Sequence, residues 1–78
     1  MITAEVALYP QKTESASQII NDSLGALGRQ NLRVDVGSVS TRLQGTEETV
    51  WEGLKTLFEK AGTRSEVSMV VTLSNSAE

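Results

Sequence analysis

The spacing of apolar side chains switches between steps of two and steps of three to four along this chain, and the order of the switches leaves few folds open to it. Ile2, Ala4, Val6 and Leu8 alternate with Thr3, Glu5, Ala7 and Tyr9, the period of a half-buried strand. Pro10 is expected to end that strand, because it cannot donate to a ladder. Ser15 and Gln18 have the spacing of a capping box, so a helix is expected to begin there. Ala16, Ile19, Ile20, Ser23, Leu24 and Leu27 then build one stripe, with Gly28 and Arg29 as its stop. Gly25, unfavourable inside a helix, reads as a point of close packing against the sheet.

Leu32, Val34 and Val36 alternate with Arg33, Asp35 and Gly37 in a second strand, and a third runs from about Ser40 to Gln44. Gly37 between them marks a bulge, a bend or a close backbone approach. Thr46 is a good N-cap, and Glu47 and Glu48 set negative charge against the positive end of the next helix dipole. Val50, Leu54, Leu57, Phe58 and Ala61 form its expected buried stripe, flanked by Trp51 and closed by Gly62. Val67, Met69, Val71 and Leu73 alternate with Ser68, Val70 and Thr72 in a final strand.

Strand, helix, strand, strand, helix, strand is the ferredoxin-like split βαβ order. The expectation is therefore an α+β fold in a single domain over residues 1–78, an antiparallel sheet in order 4-1-3-2 with both helices on one face. Tyr9 and Pro10 should then lie beside the hairpin end carrying Ser38, Ser40 and Thr41, with Arg64 and Glu66 nearby and Trp51 toward the opposite end. The other sheet face, with Thr3, Glu5, Ala7, Arg42, Gln44, Ser68, Val70 and Thr72, has no helix left to cover it, and Glu5 and Arg42 can pair across it. A chain of 78 residues has a small core. That size and the apolar Val70 and Ala7 favour a homo-oligomer, dimer or tetramer, joined through the sheet.

Side-chain chemistry narrows the function. With no Cys there is no thiolate nucleophile or cysteine metal site, and with no His the usual general base near neutral pH is missing. An enzyme is disfavoured and no cofactor is expected. The net charge of −3 offers nucleic acid no basic stripe, and no run approaches a membrane span, so neither partner is expected and the cytoplasm is the default location. An acylphosphatase-like enzyme could use Arg42 and Asn75, but a phosphate-cradling Gly-rich loop is absent.

The hairpin carries the most informative residues. Ser38, Ser40 and Thr41 set several donors and acceptors close together where the chain reverses beside Gly37. Ala4-Glu5-Val6-Ala7-Leu8-Tyr9-Pro10, followed by Val36-Gly37, Thr41 and Gly45 at the spacing Val-Gly-x-x-x-Thr-x-x-x-Gly, resembles the family of small thiamine-binding proteins, YkoF-like and MTH1187-like. The resemblance spans nearly the whole chain. It implies a ferredoxin-like fold, sheet-mediated assembly, and non-catalytic binding of thiamine or its hydroxymethylpyrimidine moiety as carrier, sensor or transport accessory.

An aminopyrimidine offers an amine donor and ring-nitrogen acceptors, which Ser38, Ser40 and Thr41 can match. Tyr9 can stack or hydrogen-bond, and Glu5 can accept from the amine or favour a thiazolium cation. The candidate ligand-binding set is thus Glu5, Tyr9, Gly37, Ser38, Ser40 and Thr41. The alternative is a structural or regulatory oligomer whose open sheet serves only assembly.

Overall fold

The computed structural model describes residues 1–27, 31–37 and 39–76. Its elements follow the expected order: β1 (Ile2–Gln11), α1 (Ala16–Gly25), β2 (Arg33–Val36), β3 (Thr41–Gly45), α2 (Glu47–Gly62) and β4 (Glu66–Ser74). The strands form one antiparallel sheet in order β2-β3-β1-β4. This is the ferredoxin-like arrangement.

Alternation assigns the faces. Ala4, Val6 and Leu43 are buried on the helix side, where they cluster with Leu27, Val50, Leu54 and Leu57. Each fully buried leucine there stabilises the fold by roughly 1.5–3 kcal/mol. Ile2, Leu24, Leu32, Val34, Met69 and Val71 pack around this cluster. Helix α2 starts as anticipated: Thr46 is extended, at φ −68° and ψ 161°, and its hydroxyl accepts from the Thr49 amide at 3.2 Å. Glu47 and Glu48 fill the first turn and Lys60 the last.

Other expectations are corrected. No capping box forms at α1, since the Ser15 side chain makes no cap bond; instead the Ser15 amide donates to the Thr13 hydroxyl at 3.0 Å. A hydroxyl two residues upstream wins the competition for that amide. The helix also stops at Gly25, while Leu27 is buried in the turn beyond it; the anticipated stop at Gly28 and Arg29 lies outside the described residues. A Cβ at Gly25 would meet nothing within 4 Å, so close packing does not account for that glycine.

Pro10 does not end β1 but pairs with Val67 of β4. Beyond Val6 the first strand has lost β3 as a neighbour, and a proline is tolerated where one side of a strand carries no ladder. Lys12, at φ 57°, then turns the chain toward α1. Phe58, expected inside, is 48% exposed. It lines a groove of about 430 Å³ with Trp51, Leu54, Lys55, Met69, Val71 and Leu73, between α2 and the last strand.

Candidate functional site

The β1–β3 register decides which candidate residues share a side of the sheet. Glu5 lies opposite Arg42 and Val6 opposite Thr41, the last pair of that ladder. Val6 is a core residue, so Thr41 points with it toward the helices, while Glu5 and Arg42 project from the open face.

On the helix side, α1 and the hairpin enclose a cleft of about 270 Å³. Val6, Leu8 and Leu57 supply apolar lining from β1 and α2, Ile20 and Leu24 from α1, and Val36 and Val39 from the hairpin. The two hairpin valines are 66% and 85% exposed, an apolar rim that the chain leaves uncovered. Ser17, Asn21, Ser40 and Thr41 are its polar lining, together with the Gly37 backbone. Thr41 is only 8% exposed, and its hydroxyl has no hydrogen-bond partner among the described residues. Among the described residues no charged side chain lines the cleft.

The backbone pinch at the hairpin holds one wall of this cleft. The Gly37 amide donates to the Ser40 carbonyl at 2.9 Å, and a Cβ on Gly37 would sit 2.8 Å from that oxygen. Gly37 is therefore a close-approach glycine, one of the readings its sequence position allowed.

On the open face, Glu5, Asp35, Val36, Gly37, Ser40 and Arg42 line a shallower notch of about 240 Å³. Its charges are engaged with one another and with a neighbour. Arg42 donates to the Glu5 carboxylate at 3.1 Å, and Arg33 pairs with Asp35 at 3.2 Å. The cross-strand pairing of Glu5 with Arg42 is as anticipated. Both pairs are exposed, so each contributes at most about 1 kcal/mol.

The candidate set is thus divided by the sheet. Gly37, Ser40 and Thr41 meet at the helix-side cleft, and Glu5 joins Gly37 and Ser40 only at the notch on the other side. Tyr9 lines neither recess; it is 53% exposed on the open face, opposite Ser68 of β4. Its position, three residues past the last β1–β3 pair, is roughly 10 Å further along the strand. Ser38 lies outside the described residues. Arg64 is ion-paired with Asp22 of α1, and Glu66 with Lys12 at 2.7 Å.

Sequence reasoning missed Ser17 and Asn21. Their signal was present: residues 17, 20, 21 and 24 are spaced i, i+3, i+4 and i+7, so the two polar groups share a helix face with Ile20 and Leu24. Among the described residues there is no group of His, Cys, Asp or Glu fit to hold a metal, and no helix long and apolar enough to cross a membrane.

Comparison with known proteins agrees with this architecture. The fold is similar to that of SP2199 from Streptococcus pneumoniae, at TM-score 0.89 and 19% identity over 97% of this chain and 87% of that one. It is also similar to hypothetical protein MJ1052 from Methanocaldococcus jannascii, at TM-score 0.87 and 18% identity over 99% and 81% of the two chains. A third structure, TM0486 from Thermotoga maritima, described as a thiamine biosynthesis/salvage protein, superposes at TM-score 0.82 and 13% identity over 96% and 83%. No curated protein matches the sequence significantly. At these identities the superpositions speak for the fold. The sequence itself, over residues 1–77, matches the model of the YKOF-related family, and the chain belongs to that family.

Proposed function

We propose that the protein binds thiamine or its hydroxymethylpyrimidine moiety without catalysis, in the cleft between α1 and the hairpin, as a carrier, sensor or transport accessory. The observation that carries this reading is Thr41. A hydroxyl buried without a partner costs roughly 1–3 kcal/mol, a cost that a ligand polar atom at that position removes. Apolar side chains of β1, α1 and the hairpin offer surface to a planar ring, and Ser17, Asn21 and Ser40 add neutral donors and acceptors around it. Membership of the YKOF-related family and the description of the Thermotoga neighbour supply the chemical class.

Titration calorimetry with thiamine and with hydroxymethylpyrimidine tests the reading. Thr41→Val keeps the side-chain shape and removes the hydroxyl, and it is expected to weaken binding about tenfold. Absence of heat and of thermal shift at millimolar ligand sinks the proposal. With the reading goes a cytoplasmic location, which cell fractionation tests.

A second reading, self-assembly through the open sheet face, is favoured by a specific observation. That face carries the exposed Val70 and Tyr9, and its Glu5–Arg42 and Arg33–Asp35 pairs are internally neutral, so covering it strands no unpaired charge from these pairs.

A further inference from the structure

We infer that Asn21 is the residue that selects the aminopyrimidine edge of the ligand, reading its exocyclic amine and the adjacent ring nitrogen together. The inference rests on the binding reading above and goes beyond it by naming what recognises the heterocycle and how.

The argument starts from what each polar group at the cleft can do. Ser17, Ser40 and Thr41 carry hydroxyls, and a hydroxyl meets one ligand atom at a time with a proton that rotates to suit. Among the described residues the Asn21 carboxamide is the one polar side chain of the lining that sets a donor and an acceptor side by side in one plane. An amine next to a ring nitrogen presents the complementary pair, the same two-point match by which a carboxamide reads adenine.

Placement favours Asn21 for this role. It lies three residues before Leu24 and one after Ile20 on the face of α1 that lines the cleft, where Thr41 lines it from β3. A ring seated between them therefore has a carboxamide on the helix side and a hydroxyl on the sheet side. The Asn21 carboxamide makes no hydrogen bond within the described residues, so its pairing capacity is uncommitted. Its neighbour Asp22 is engaged by Arg64 instead. That ion pair ties α1 to the turn between α2 and β4, and of the two neighbours it is the Asn21 carboxamide that lines the cleft.

A double-mutant cycle tests the assignment. The probes are thiamine and its analogue lacking the exocyclic amine, titrated calorimetrically against the wild-type protein and Asn21→Ala. The wild type is expected to prefer thiamine about tenfold, and Asn21→Ala is expected to bind both probes at the weaker level, with no preference left.

An unchanged preference in Asn21→Ala overturns the inference, as does an equal loss for both probes. In either case the binding reading stands, provided Thr41→Val still weakens thiamine. Failure of the wild type to bind either probe is the separate outcome that removes the binding reading and this inference with it. Asn21 is exposed, so the alanine variant is expected to melt as the wild type does; Asn21→Ser serves the same cycle should it not.

Discussion

Gly37, Thr41 and Gly45 stand four residues apart, and the structure supplies a different physical reason for each. A side chain at Gly37 would run into the Ser40 carbonyl, which is backbone and cannot yield without opening the hairpin. Gly37→Ala is therefore expected to lower stability by about 1–3 kcal/mol in urea melts and to weaken ligand binding with it. At Gly45 a Cβ would lie 2.6 Å from the Thr49 hydroxyl and 3.2 Å from Leu32. That hydroxyl donates to the Thr46 carbonyl at 3.1 Å, so Gly45→Ala is expected to disturb the start of α2 and lower the melting midpoint. Thr41 is buried and lines the cleft between α1 and the hairpin. The inward direction of Thr41 was legible beforehand, because Leu43 two residues on is a core residue. The separation of Glu5 from Thr41 follows from the same alternation, which sets Glu5 and Arg42 on the open face; the register adds that Val6 is the residue opposite Thr41.

Among the elements, strands and α2 were the most legible, because alternation and a capping threonine are local signals. Thr46→Ala is expected to cost about 1 kcal/mol of stability, measured by chemical denaturation, since the Thr49 amide loses its acceptor. Helix α1 was less legible. Its capping pair was present in the sequence but Thr13 takes the amide, and its last turn winds down through bonds from Ala26 to Asp22 and Ser23 rather than running on to Leu27. Ser23, read as part of an apolar stripe, sits in the core because its hydroxyl donates to the Ile19 carbonyl at 2.7 Å and presents no unpaired group there. Phe58 fitted the helical period but falls on the flank, where α2 leaves β4 only partly covered. Periodicity tells which residues share a face; it does not tell how wide the cover above that face will be.

For the whole molecule, the strand order was legible because a strand–helix–strand–strand–helix–strand chain of this length has few ways to close. How copies associate is a matter of surfaces. If the open face joins copies, Val70→Asp is expected to shift the protein toward monomer in sedimentation velocity at micromolar concentration while leaving the far-ultraviolet circular dichroism unchanged. A monomeric wild type overturns that reading of the face. The hairpin between β2 and β3 bears on the same question, since Gly37 and Ser40 border both the sheltered cleft and the open notch. A single thickness of backbone serves as the party wall between two rooms. If a neighbour pressed against its outer surface changes the affinity of a small molecule lodged behind it, reciprocity requires that the small molecule change, by the same factor, the grip of that neighbour.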